Sequence, residues 1–320
     1  SRVTGSRTLR TVKHDDRIQE YYNGPFPCNT TGSRSSEVPK TVHQLRPGDI
    51  DVIGAMGDSL TAGLAVFATS FLQAAVENRG VTFSGGGQGT WREYLTLPNI
   101  LKEFNPNIFG YSESNSYTFE KASEFNVAES GAMSRDMPYM ARALINRMKK
   151  DPRVNLKKHW KMITLTIGAN DFCVDMCYFP EPSIILSNHK KQLMQVLRSL
   201  RDELPRTFVS IVPAPNLKNL VEIKGRSNFC ELTVDLECPC LFGLAHRNKR
   251  RKFYNIMRRW QKLDEEIAQY PEFQKDDFTV VIQPWSTNLT FPVISEDMSD
   301  LSYLARDCFH ISQKGNARGE

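Results

Sequence analysis

Ile50-Asp51-Val52-Ile53-Gly54-Ala55-Met56-Gly57-Asp58-Ser59-Leu60 is an apolar run cut off by Gly57-Asp58-Ser59. Its length and its aliphatic content read as a short strand over Ile50–Met56. The residues from Leu60 to Asn78, with frequent Ala and Leu, read as a helix. Ser59 therefore stands where a strand hands over to a helix. Working outward, further strands are expected at Phe125–Ala128, Met162–Ile167, Phe208–Val212 and Phe278–Ile282. Helices are expected between them, near 135–149, 183–203 and 251–269. Alternation at this spacing indicates an α/β chain with a mostly parallel sheet covered on both faces. Ligands of such sheets bind beyond the carboxyl ends of the strands. The candidate polar residues fall there.

The bounds agree with one large domain. The chain has 320 residues, 40% of them hydrophobic and 24% charged, which supplies a core and argues against global disorder. A net charge of +5 is mild for this length and makes no case for nucleic acid. No run approaches the length that spans a bilayer. Residues 1–40 read as a polar lead and loop, and 41–320 as the main domain, with a closing helix expected past the last residues. The segment 84–120, rich in Gly, Ser and Asn, reads as an elaborated loop region near the site.

Seven cysteines and two sequons, Asn29-Thr30-Thr31 and Asn288-Leu289-Thr290, point to an oxidising, secretory compartment. Disulfides are expected between Cys173 and Cys177 and between two of Cys230, Cys238 and Cys240. The odd count leaves one thiol over. A zinc site at Cys238 and Cys240 lacks a second matched pair and a histidine at ligand spacing. Asp171 and Asp175 lack the further carboxylates that a cation site needs. The four tryptophans read as core, Trp91 in its Gly-rich loop excepted.

A serine hydrolase needs a nucleophile, a base in reach, a group that orients the base, and donors for an oxyanion. The G-x-S-x-G elbow is absent. Ser59 stands in its place, with amides of a helix start around it. The plainer reading is that Asp58 or Ser59 only caps the helix. Asp307-Cys308-Phe309-His310 puts an aspartate and a histidine three apart, so that Asp307 can orient His310. Gly168-Ala169-Asn170-Asp171 and Asn126-Val127-Ala128-Glu129-Ser130-Gly131 each follow a strand and offer donors, although Gly, Asn and Asp are also ordinary turn formers.

Taken together and in order, G-D-S-L, the glycine after the second strand, G-x-N-D and D-x-x-H resemble blocks I, II, III and V of the GDSL/SGNH hydrolases. Phe26-Pro27-Cys28, Val42 through Ile50, Gly57 through Gly63, Gly86 through Trp91 and Asn170 through Cys173 are further similar to a lipase repeat of the membrane-associated phospholipase B family. The resemblance implies a three-layer α/β/α sandwich with a mostly parallel five-stranded sheet. It implies Ser59 as nucleophile, with Asp307 and His310 completing the triad, and an oxyanion hole from the Ser59 amide, the Gly131 amide and the Asn170 side chain. No metal or cofactor is implied. The substrates would be phospholipids, lysophospholipids or other acyl esters, met outside the cell or at the outer face of the plasma membrane. Two other readings keep the same residues: a carbohydrate O-acetylesterase, and a non-catalytic module on lipid surfaces. The basic run His246–Lys252 with Arg258 and Arg259 reads either as a solvated face or as a foothold on anionic lipid.

Overall fold

The computed structural model describes residues 15–70 and 72–318. The expected lead and loop over residues 1–40 therefore lies, up to residue 14, outside the described residues. In chain order the elements are β1 (Ile50–Gly57), α1 (Ser59–Ala62), α2 (Leu97–Phe104), α3 (Met137–Lys150), β2 (Trp160–Thr166), α4 (Ile184–Glu203), β3 (Thr207–Ile211), α5 (Lys218–Val221), α6 (Asn228–Glu237), α7 (Pro239–Phe242), α8 (Arg250–Ala268), β4 (Phe278–Ile282), β5 (Val293–Ser295), β6 (Met298–Ser299) and α9 (Gln313–Arg318), with short 3-10 turns between them.

β1 to β4 form a parallel sheet in the order β1-β2-β3-β4. When neighbours in the sheet are consecutive and each crossover is right-handed, the crossover helices share one face. α3, α4 and α8 pack side by side accordingly. α3 turns Met137, Met140, Ala141, Leu144, Ile145 and Met148 inward, a stripe of helical period. Each such side chain, fully buried, contributes about 1.5–3 kcal/mol. Arg147, Lys149 and Lys150 sit in its last turn, where the helix dipole favours cations. The opposite face carries a thinner layer. α2 and the turns at Val42–Gln44 and Pro47–Asp49 cover Ile50, Ile53 and Trp160 there.

Among the described residues the parallel sheet has four strands, not the expected five. Phe125–Val127 and Phe109 share the outer edge of β1. The Ala55 amide donates to Phe125 O, and the Ile53 amide donates to Phe109 O. Gly110, at φ +100°, turns the chain out between them, so neither segment extends into a ladder. The helix expected over 60–78 is also cut short. Gly63 ends α1 at φ +76°, and a β-carbon there would meet the Asn78 carbonyl oxygen at 2.7 Å. Ala65 follows at φ +63°.

The cysteines pair as Cys173–Cys238, Cys177–Cys240 and Cys230–Cys308, and Cys28 is free and exposed. Neither the expected Cys173–Cys177 bond nor the expected bond between two of Cys230, Cys238 and Cys240 forms; Cys173 and Cys177 fail to pair for a local reason. Both residues lie on one helical stretch and face the same neighbour, the start of α7, so each reaches across to it. The three bonds gather α6, α7 and the segment after β2 around a second apolar cluster.

Candidate active site

The site is built at the carboxyl end of β1. Gly57 must be glycine: a β-carbon would stand 2.5 Å from Thr166 O and from Thr61 Oγ1. Asp58 is the cap of α1, and its Oδ1 accepts the Leu60 amide at 3.0 Å. The capping duty thus falls on Asp58 and leaves the Ser59 hydroxyl for other partners. Burial pushes the Asp58 carboxyl up to about 6, against the Leu60 amide and the nearby His310.

Ser59 Oγ lies 2.9 Å from His310 Nε2, and His310 Nδ1 lies 2.7 Å from Asp307 Oδ2. Asp307 Oδ1 accepts the amides of Phe309 and His310, each at 2.9 Å. All three residues are buried. The turn that carries Asp307 and His310 is tight: Cys308 sits at φ +62°, a conformation costing of order 1–3 kcal/mol outside glycine. The Cys230–Cys308 bond and the Thr233 hydroxyl, which donates to Asp307 O at 2.6 Å, hold the turn to α6.

Electrostatics separate the two titrating partners. Burial alone would raise the Asp307 carboxyl, but the His310 charge and hydrogen bonds hold it below the ordinary value. Burial alone would lower His310. The charge and hydrogen bond of Asp307, with Glu237 and Asp58 farther off, reverse that and raise it above the ordinary 6.5. A neutral His310 with its Nδ1 proton on Asp307 presents Nε2 as acceptor to Ser59.

Two loops lie next to this trio: the Glu129 amide donates to Gly57 O at 3.1 Å, and Asn170 lines the same cleft as Ser59. Gly131 stands at φ +79°, which an L side chain adopts only with strain. Asn170 begins the short helix after β2, and its Nδ2 donates to Ala132 O at 2.9 Å, which ties the two loops together and leaves the second amide proton free. Asp171 Oδ2 accepts the Ser134 amide at 3.0 Å. Burial pushes the Asp171 carboxyl up to about 7, against that amide. The strand segment leading to Gly131 is braced from below. Arg79, wholly buried, donates to Asn126 O and Oδ1 and to Ala128 O, and pairs with Glu77 at 2.6 Å. Glu77 in turn accepts the Ser130 hydroxyl at 2.6 Å.

A largely apolar cleft opens from Ser59 and Asn170. Phe83, Leu217, Leu220, Trp285, Phe291 and Phe309 are among its walls. These residues sit on short segments far apart in the sequence, Leu217 and Leu220 at the one-turn helix α5, so no sequence pattern gathers them. Trp285 needs a correction: it is half exposed in the cleft wall, edge-on to Phe83, and not in the core. Trp91 is buried against Tyr22 and Phe26. Sequence reading also missed a second serine–histidine–aspartate chain. His189 of α4 bonds Ser134 Oγ at 2.6 Å through Nδ1 and Asp264 Oδ1 of α8 at 2.7 Å through Nε2.

Residues 53–318 match the family model of GDSL-like lipase/acylhydrolase. The chain is 36% identical over 299 residues to mouse (Mus musculus) phospholipase B1, membrane-associated, covering 93% of this chain and 20% of the relative. It is 37% identical over 300 residues to the human (Homo sapiens) protein of that name, again covering 93% and 20%. The chain thus spans about a fifth of the length of these curated relatives. Among solved structures, phospholipase A1 from Streptomyces albidoflavus aligns at 14% identity and TM-score 0.37, covering 84% of this chain and 96% of that one. A variant of Axe2, an acetyl xylan esterase from Geobacillus stearothermophilus, aligns at 15% and 0.37, covering 85% and 94%.

Proposed function

The chain belongs to the GDSL-like lipase/acylhydrolase family, and from that membership we propose that it hydrolyses carboxylic esters of lipids through an acyl-enzyme on Ser59. His310 Nε2 removes the hydroxyl proton as Ser59 Oγ attacks the ester carbonyl. Asp307 steadies the imidazolium that results. The oxyanion takes hydrogen bonds from the Ser59 and Gly131 amides and from Asn170 Nδ2. Collapse breaks the ester bond, and His310 returns its proton to the departing alcohol oxygen. Water, deprotonated by His310, then releases the fatty acid and frees Ser59.

One observation carries this reading: the Ser59–His310–Asp307 chain ends on an apolar cleft and not on open solvent. A cleft of that character suits an acyl chain, which favours phospholipid or lysophospholipid over an acetylated sugar. The names of the curated relatives agree. Three disulfides suit work in the secretory pathway, outside the cell or held at the outer membrane face. Among the described residues no helix is long and apolar enough to cross a membrane. The test is hydrolysis of a long-chain lysophospholipid, a diacyl phospholipid and an acetyl ester by the purified chain. Preference for the long-chain esters is expected. Turnover of the acetyl ester alone would replace the lipid substrate with an acetylated one, and binding to vesicles with no turnover would leave a lipid-surface module.

A further inference from the structure

The loops that carry Gly131 and Asn170 rest on a polar chain sealed inside the protein. Ser134 begins the 3-10 turn just ahead of α3, three residues after Gly131. Its amide donates to Asp171 Oδ2, the residue after Asn170. Its hydroxyl meets His189 Nδ1 at 2.6 Å, and His189 Nε2 meets Asp264 at 2.7 Å. Ser134, His189 and Asp264 are 3%, 1% and 2% exposed, and none of them lines the cleft. Trp260 lies flat on the His189 ring, centroids 3.7 Å apart, and stands 3.0 Å from where a side chain on Gly168 would begin. The same unit therefore touches both loops, one through Ser134 and the other through Asp171 and Gly168.

A buried hydroxyl, imidazole and carboxylate cost desolvation and are retained only when each is satisfied. With Asp264 ionised and His189 neutral, Nε2–H donates to Asp264 and Nδ1 accepts from the Ser134 hydroxyl. Burial raises the Asp264 carboxyl, and His189 opposes that. Donors of an oxyanion hole act only if held where the charge will develop, and a shift of about 1 Å is worth up to 10²-fold in rate.

We infer that Ser134, His189 and Asp264 are positioning residues for the oxyanion hole, holding the Gly131 loop against the Gly168–Asp171 loop so that the Gly131 amide and Asn170 Nδ2 converge. The inference rests on the ester-hydrolase reading above. It is tested by a double-mutant cycle on the whole chain with a soluble short-chain p-nitrophenyl ester, alongside melting temperatures. Ser134→Ala lowers kcat roughly tenfold with KM within about twofold, and Asn170→Ala lowers it about 10²-fold or more. In the double variant the loss from Ser134→Ala is smaller than in the parent, because one of the two donors it places is already gone. The pH profile of Ser134→Ala stays that of the parent, since His310 keeps its partners.

Fully multiplicative losses, or an unchanged kcat with only a lower melting temperature, overturn the inference. If Ser134→Ala does not fold, His189→Asn, whose amide still reaches Ser134 but not Asp264, replaces it in the cycle with the same two outcomes. Failure of the ester-hydrolase reading shows separately: the parent chain would then not turn over the ester at all.

Discussion

Ser59–His310–Asp307 and Ser134–His189–Asp264 use the same side chains at nearly the same distances, 2.9 and 2.7 Å in one and 2.6 and 2.7 Å in the other. The imidazoles point in opposite senses: His310 gives Nε2 to its serine, while His189 gives Nδ1. The first chain hangs from a tight turn and ends at a helix start with a cleft beyond it. The second is spread over three elements and closed on every side. A hydrogen-bonded trio is therefore not by itself a hydrolytic centre. What lies past the hydroxyl decides: room for a carbonyl, and donors aimed at its oxygen.

Isosteric changes in the two aspartates sharpen the contrast. Asp307→Asn costs on the order of 10⁴-fold in kcat, because the amide favours the wrong tautomer of His310. Asp264→Asn keeps an acceptor for Nε2–H and costs less than about tenfold. The pH dependence separates them further. His310 must be neutral to act, and its pKa is raised, so the acid limb of kcat/KM in the parent lies above pH 6.5. Removing the Asp307 charge lets burial dominate and moves that limb to lower pH. The Asp264 change leaves it in place. Equal losses in the two variants, or a limb that moves only with Asp264, would erase the distinction. The cleft supplies the smaller effect. Trp285→Ala removes apolar wall worth about 1.5–3 kcal/mol if fully covered by substrate, so kcat/KM falls roughly tenfold or more for long acyl chains. An acetyl ester is unaffected. Equal losses on both esters would mean that Trp285 does not meet the acyl chain.

The two chains differ as much in how far the sequence exposes them. Gly57-Asp58-Ser59 sits at the end of an uninterrupted apolar run, and Asp307 and His310 are three apart, so both pieces have local signatures. That they meet across 251 residues is a matter of topology, approached only through the order of the blocks. The second chain had a signal of another kind. His189 lies on the inward stripe of α4 with Ile185, Leu193 and Val196, and Asp264 on that of α8 with Met257, Trp260 and Ile267. A polar residue in each of two apolar stripes marks a buried pair, although nothing in the spacing says which residues meet.

The same limit explains the other misses. β2, β3, β4 and the three long helices follow from hydrophobic period and lie close to their expected bounds. The outer edge of β1 does not, because two segments share it. Positive φ at Gly63 and Ala65 outweighed the helix propensity of residues 60–78. Cys173 and Cys177 crossed to α7 because side chains one helical turn apart point the same way.

The central claim is that Ser59 alone, of the two serines held by a histidine, is exposed to an electrophile. Peptide mapping after reaction with a fluorophosphonate ester mimic reads this directly. The predicted result is one adduct per chain, on the peptide that carries Ser59, with none on the peptide that carries Ser134 and none at all in Ser59→Ala. An adduct on Ser134, or undiminished labelling of Ser59→Ala, would contradict it.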